Sequence, residues 1–531
     1  MSLDALAAVA ILAGRLTSAA ASPEPYDLVI RGGRIVDGTG DPWFRADVAI
    51  RGDTIVRVAP AIREPARRVI DADGRVVAPG FIDIHSHGRH GIFADPTARN
   101  YLTEGVTTFI EGPDGSSPVP LAPFLDSLET LPKSVNVGSF VGQGSVREKV
   151  LGSVDRPPTA AELEEMRRLV DQGMSDGAFG LSSGLFYVPG SFSPTDEVVE
   201  LARVAGCRGG IYQTHMRDEA SRIVESVRET IAIGERGALP TQVTHHKVIG
   251  AKNWGKSRET LALIDAARAR GVDATIDQYP YTASSTSVGA ALTPQWAQEG
   301  GEEKARERLL DPALRPKILA ETERLIREER GGGDPRRVVL ASCDWDASLG
   351  GRNLSEVAAT LGLPGTVEGA AEAALWIVAH GDCDGIFHAI GEEDLERILR
   401  HPATMIASDG GIYQPGEGVP HPRSYGTFAR VLAVYVREKR VLTLEEAVRK
   451  MSGFPAARLG LTDRGILRPG MKADLSVFDP DRVRDAATFE NPHRYSEGWM
   501  LVLVNGEVVL ENGTVTRARP GRVLYGPGVL R

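Results

Sequence analysis

Cysteine is nearly absent. Three residues, Cys207, Cys343 and Cys383, are spread over 531 positions, and no Cys-x-x-Cys pair occurs. That argues against a disulfide framework and against a thiolate zinc site. The expectation is thiols buried as small hydrophobes. A surplus of positive charge is also missing. Lys and Arg number 61 against 71 Asp and Glu, a formal net charge of −10. A phosphate-binding surface needs a basic stripe, so nucleic acid is excluded as the main partner. Long apolar runs are lacking as well. Nothing approaches the ~20 apolar residues that span a bilayer, so no integral membrane segment is expected. At the N-terminus, Ala5 to Gly14 is small and apolar, and Ala19-Ala20-Ala21 resembles a cleavage site. Yet Asp4 precedes that stretch, no Lys or Arg does, and Arg15 follows closely. Residues 1–25 therefore read as a signal or a disordered segment, and a cytoplasmic or an exported, periplasmic location both stay open.

What is present is the ordinary composition of a globular protein, 42% hydrophobic and 25% charged, in a chain too long for one ordinary compact domain. The 59 glycines suit many strand-to-helix turns. Residues 26–76 alternate apolar and polar side chains between glycine turns, and residues 465–531 do the same, with an Asn505-Gly506 hairpin turn. Neither end buries enough alone, and together they predict one small β-sandwich. Between them, over 77–464, short apolar strands alternate with helical patterns. The strands are Val106–Ile110, Gly177–Leu181, Gly210–Thr214, Gln242–His246 and Ala274–Gln278. The helices include Ala160–Gln172, Asp196–Ala205 and Ile223–Arg236. This rhythm predicts an α/β fold with a parallel sheet, and its length suits a (β/α)8 TIM-like barrel. Residues 285–335, rich in Glu, Arg and Leu, read as a helical insertion between two late strands.

The chemistry collects at strand ends. Val77-Ala78-Pro79-Gly80-Phe81-Ile82-Asp83-Ile84-His85-Ser86-His87 carries an apolar run into two histidines one residue apart. On a strand these share a face and make half of a metal site. Tyr212-Gln213-Thr214-His215 and Gln242-Val243-Thr244-His245-His246-Lys247 both end in Thr-His, which places His215 and His245 equivalently. Alternation puts Lys247 on the face of His245 and His246 on the opposite face, so His245 is the preferred ligand and His246 either supports a ligand from behind or simply packs. A late run, Ala403 to Gly410, ends in Asp409, an acid able to bind a metal and to take a proton from water.

In this order, His-x-His, Thr-His, Thr-His-His-Lys and Ser-Asp-Gly flanked by terminal β segments, the chain resembles the amidohydrolase superfamily. Gly184-Leu185-Phe186-Tyr187-Val188-Pro189-Gly190, His215-Met216-Arg217-Asp218-Glu219, Asp277-Gln278-Tyr279-Pro280-Tyr281 and His421-Pro422-Arg423-Ser424-Tyr425-Gly426 narrow the resemblance to N-acyl-D-amino-acid deacylases. It runs from about residue 27 to residue 515. One departure stands out. Where those deacylases commonly carry Gly-Asn-Cys-Gly with a zinc-binding cysteine, this chain has Gly112-Pro113-Asp114-Gly115. Asp114 is the expected replacement and Glu111, at the strand end, its rival. The strand at 177–181 offers no lysine to bridge metals. The resemblance implies one or two Zn²⁺ ions held by His85, His87, Asp114, His215, His245 and Asp409. It makes Asp409 the catalytic proton carrier. Tyr187 and Lys247 match positions that would hold a substrate carboxylate. Arg423 is a further cation able to reach it, and Tyr279 and Tyr281 either line the pocket or pack under the insertion. The implied activity is hydrolysis of the amide bond of a small N-acyl-D-amino acid. The alternatives are a dipeptidase or cyclic-amide hydrolase on the same scaffold, or a catalytically silent binding protein. Acyl group, side chain and oligomeric state are not legible.

Overall fold

A computed structural model describes residues 24–529. The signal-or-disorder expectation falls, up to residue 23, outside that range. Both ends of the chain build one β unit. Tyr26–Ile35, Phe44–Arg51, Thr54–Ala59, Ala66–Asp71 and Val76–Pro79 come from the N-terminal side. Leu475–Phe478, Trp499–Val504, Glu507–Glu511 and Thr514–Val515 come from the other. They join where Val76–Pro79 pairs antiparallel with Leu475–Phe478, Val77 opposite Val477. All nine strands share one ladder. It curls on itself, because Thr54 at one edge also bridges Lys472, just before Leu475–Phe478. Alternate residues such as Ile30, Val48, Ile50, Val77, Leu475 and Leu503 point into the shared core of this sandwich.

Eight parallel strand positions follow: β1 (Phe81–Asp83), β2 (Val106–Glu111), β3 (Asn136–Ser139, resumed at Val141–Gly142), β4 (Gly180–Gly184), β5 (Ile211–His215), β6 (Thr241–Val243), β7 (Ala274–Gln278) and β8 (Thr404–Ile406). Each pairs with the next in parallel. The ring closes just beyond β8, where Ser86 bridges Gly410 and the Asp409 amide donates to His85 O at 2.9 Å. The outer helices are amphipathic. In Ala160–Asp176 the buried residues Met166, Leu169, Val170, Gly173 and Met174 fall at helical spacing. Thr159 and Glu162 close its start as a reciprocal cap. Gly177, at φ +128°, ends it. That is why the strand expected at Gly177–Leu181 begins three residues later, at Gly180: the first glycine is taken by the helix terminus.

The insertion is larger and less helical than expected. It runs from Ser284 to Phe387 between β7 and β8 and adds an antiparallel sheet of Ser284–Ser287, Val338–Ser342 and Asp384–Phe387 to its helices. Ser284-Ser285-Thr286-Ser287 has no apolar alternation, so nothing in it signals a strand. This sheet also corrects the reading of the cysteines. Ser342 lies opposite Asp384, which brings the neighbouring Cys343 and Cys383 together as a disulfide. Cys207 is a free thiol and is exposed rather than buried.

Candidate metal centre

Six donor side chains meet above the C-terminal ends of the barrel strands, where barrel enzymes keep their chemistry. His85, His87, Asp114 and Asp409 form one group; Asp114, His215 and His245 form a second. Asp114 belongs to both. Its Oδ2 lies 3.5 Å from Nε2 of His85 and of His87, and its Oδ1 lies 3.4 Å from His245 Nε2. Asp409 Oδ1 is 3.0 Å from His87 Nε2 and 3.4 Å from His85 Nε2. Glu111 is not among these donors; its Oε2 accepts from the Gly112 amide at 3.2 Å.

Local backbone sets these directions. Asp114, His245 and Asp409 adopt φ of +53°, +34° and +52°, a region non-glycine residues rarely visit and one that clusters at functional sites. At His245 this turn replaces the expected strand, since β6 stops at Val243. The Asp277 carboxylate fixes the turn by accepting the His245 amide at 2.7 Å. His246 points away from the centre, its Nε2 2.8 Å from Thr260 Oγ1. Under β1, Asp83 accepts from the Ser408 amide at 2.9 Å and ties the two strand ends that bear His85 and Asp409.

Glu219 closes the far side. Its Oε2 lies 3.4 Å from His215 Nε2, and its Oε1 lies 3.2 Å from His245 Nδ1 and 2.6 Å from Lys247 Nζ. The histidines are thereby oriented with opposite nitrogens toward Asp114: Nδ1 for His215, Nε2 for His245. Lys247 is fully occupied. It also contacts His245 Nδ1 at 2.8 Å and donates to His245 O at 3.1 Å. The free carboxylate donor expected there is thus already paired with an acid. Glu219 and Asp277 had no role in the sequence reading, although both lie in the motifs Met216–Glu219 and Asp277–Tyr281 that carried the resemblance.

The donor set fits a cation. Both ring nitrogens of His85 and of His215, together with His245 Nε2 and Asp114 Oδ1, are buried without a hydrogen-bond partner. Burial lowers His215 to about 4, so it stays a neutral imidazole, the form a metal takes. The His87 ring is 43% exposed on the cavity wall, and its partial desolvation is outweighed by Asp114 and Asp409, which raise it to about 9. The two carboxylates therefore favour positive charge at this point. Burial likewise opposes ionisation of Asp409, but the Arg423 guanidinium, 2.6 Å from Oδ2, holds it well below the usual carboxylate range. The centre opens into a cavity of about 910 Å³ whose lining includes Tyr187, Lys247, Tyr279 and Arg423. Tyr187 packs edge-on against His215, ring centroids 4.7 Å apart, and accepts a hydrogen bond from Thr286. The Tyr279 hydroxyl is buried and unpartnered, and the Arg423 guanidinium lies over the Tyr279 ring, 4.8 Å from its centroid. Tyr281 packs against His421 and Phe489.

The sequence profile of the Amidohydrolase family matches residues 68–510. The chain belongs to that family. Within it, this amidohydrolase is 37% identical over 525 residues to the D-aminoacylase of Alcaligenes xylosoxydans xylosoxydans, covering 94% of this chain and 98% of the relative. It is 36% identical to the N-acyl-D-aspartate deacylase of the same organism, with 96% of each covered. Among solved structures it resembles the N-acyl-D-glutamate deacylase of Bordetella bronchiseptica complexed with zinc and a phosphonate inhibitor that mimics the tetrahedral intermediate. The TM-score is 0.81 and the identity 34%, over 95% of this chain and 100% of the other.

Proposed function

We propose that this amidohydrolase is a zinc-dependent N-acyl-D-amino-acid deacylase. The observation that carries the reading is the pair of donor groups sharing Asp114 at the cavity floor, with Asp409 held between the histidines and the Arg423 guanidinium. Relatives 36–37% identical over nearly the whole chain are named for this activity. His85, His87, Asp114 and Asp409 would hold one zinc, and Asp114, His215 and His245 another. When bound, zinc supplies Lewis-acid polarisation of the acyl carbonyl and makes water acidic enough to lose a proton near neutral pH.

The residues of the chain do the rest. Asp409 accepts the proton of the attacking water and returns it to the leaving nitrogen as the C–N bond breaks, giving a carboxylic acid and a free D-amino acid. Arg423 keeps that carboxylate ionised and aimed. Tyr187 and Arg423 face the cavity as contacts for the substrate α-carboxylate. Lys247 contributes chiefly by holding Glu219 against the two histidines. The test is release of amino acid from N-acetyl-D- and N-acetyl-L-amino acids by chelator-treated protein, with and without added zinc. Zinc-dependent cleavage of the D series is expected. Cleavage that ignores zinc, or that favours the L series, defeats the reading.

A further inference from the structure

Arg330 stands at the end of Ile326–Arg330, inside the insertion, and lines the same cavity. It is 4% exposed. Among the described residues its guanidinium makes no hydrogen bond and no ion pair, and its Nε is buried without a partner. Its neighbours are the rings of Phe186 and Phe387, 4.9 and 5.8 Å from its Cζ. The other buried cations of the cavity wall are engaged, Lys247 with Glu219 and Arg423 with Asp409. Arg330 alone among these has no counter-charge.

A desolvated cation without a partner is destabilising and persists where something else compensates. Here the placement is built. The Gly333 amide donates to Ile326 O at 3.2 Å, and the Gly331 amide at 3.1 Å, which ends the turn at Arg330. The loop after His245 comes so close that a Cβ on Gly250 would meet Glu328 O at 2.6 Å. The Phe186 ring beneath Arg330 stacks on His215, centroids 5.3 Å apart. Its carbonyl accepts from Gln295 of the same insertion at 2.8 Å. One aromatic ring therefore separates the free guanidinium from the donor set.

We propose that Arg330 is the receptor for a substrate carboxylate, and that through it the insertion selects acidic D-amino acids. This rests on the deacylase reading. A planar guanidinium flanked by rings suits bidentate capture of a carboxylate. On the deacylase reading the α-carboxylate goes to Tyr187 and to the part of the Arg423 guanidinium that Asp409 does not use, so the group left for Arg330 is the side-chain acid of an aspartyl or glutamyl substrate.

The test reads binding, not turnover. Calorimetry compares N-acetyl-D-glutamate, N-acetyl-D-methionine and N-acetylbutylamine on zinc-loaded Asp409→Asn protein, alone and combined with Arg330→Met or Arg330→Lys. Arg330→Met is expected to weaken N-acetyl-D-glutamate by ~10- to 100-fold, the range of a charge-assisted hydrogen bond, and to leave N-acetyl-D-methionine unchanged. Arg330→Lys, which keeps the charge without the fork, should fall between. Equal weakening of both amino acids, with the butylamine derivative unaffected, would place Arg330 on the α-carboxylate and overturn the selection of acidic side chains. Equal weakening of all three ligands, no weakening, or no carboxylate binding to the parent overturns the inference. Melting temperature separates misfolding from lost recognition, since deleting an unpaired buried charge should not lower it; a fold lost in Arg330→Met but kept in Arg330→Lys leaves the lysine variant to decide. The zinc-dependent cleavage assay judges the deacylase reading on its own.

Discussion

At the scale of single residues, Asp114 decides the most, because its two oxygens serve both donor groups. Asp114→Ala should therefore lose zinc at both, whereas loss of a ligand held by one group alone would spare the other. Asp114→Cys should keep a metal site and tighten zinc, a softer thiolate replacing a hard carboxylate. Metal analysis after dialysis checks both variants, and full zinc occupancy in Asp114→Ala would remove the residue from the centre. Asp409→Asn keeps shape and discards the base, so kcat should fall by ~10²–10⁴-fold. His246→Ala should retain zinc but unfold at lower temperature, as it empties a packed site and removes the imidazole that meets Thr260 Oγ1. The histidines and Asp409 were legible because each is a metal-binding or acid–base type at or just past an apolar run, whereas Asp114, three residues beyond the end of β2, was legible only through its match to the deacylases' cysteine position. His245 rather than His246 faces the donor group, and not through strand alternation: a left-handed turn and the Asp277 carboxylate set its direction. Arg330 was not legible. In sequence it is one more basic residue in a stretch rich in charge, and only burial distinguishes it.

At the scale of elements, the loop after β5 and the loop after β6 are coupled through one carboxylate. Glu219 sits four residues beyond His215 and reaches Lys247, two beyond His245. Outer partners of this kind orient metal-binding imidazoles and set their basicity. Glu219→Gln should weaken zinc binding by ~10- to 100-fold, read by competition with a chelator, while excess zinc restores most of kcat. A variant with parental zinc affinity and low kcat would place Glu219 on the substrate instead. Lys247→Met should follow the same pattern in milder form, because Glu219 then loses its cation but keeps both histidines. The sequence displayed the elements unevenly. Barrel strands show as short runs, fully buried yet carrying polar residues such as Ser182, Gln213 and Gln242, set between longer amphipathic helical patterns. The inserted sheet is short and serine-rich at its first strand, and its disulfide joins cysteines that only its register makes neighbours.

At the scale of the whole molecule, the terminal sandwich and the barrel share one buried polar knot. Asp474 accepts from the Asn505 amide at 2.6 Å, from Asn136 Nδ2 of β3 at 3.2 Å, and from Arg464, whose side chain is 3% exposed. Asn136 Oδ1 in turn accepts from Asn505 Nδ2 at 2.8 Å and from the Arg522 amide at 3.0 Å. From there the C-terminal segment runs along the barrel, Leu524 donating to Val137 O and Gly526 to Gly177 O. The alternation at both chain ends foretold the sandwich, but a knot assembled from residues 136, 464, 474, 505 and 522 has no local signature. Its consequence is cooperative. Asp474→Ala takes from Arg464 its buried partner, leaving it only the half-exposed Asp463 at 3.1 Å, and takes from the Asn505 amide its acceptor; losing one partner of a buried pair destabilises by up to ~3–5 kcal/mol. The variant should melt earlier in a single transition, because sheet and barrel lose the same contacts together. Activity per folded molecule should be unchanged at low temperature, since none of these groups touches the cavity. Two separated transitions in calorimetry would show instead that the sandwich and the barrel hold themselves together independently.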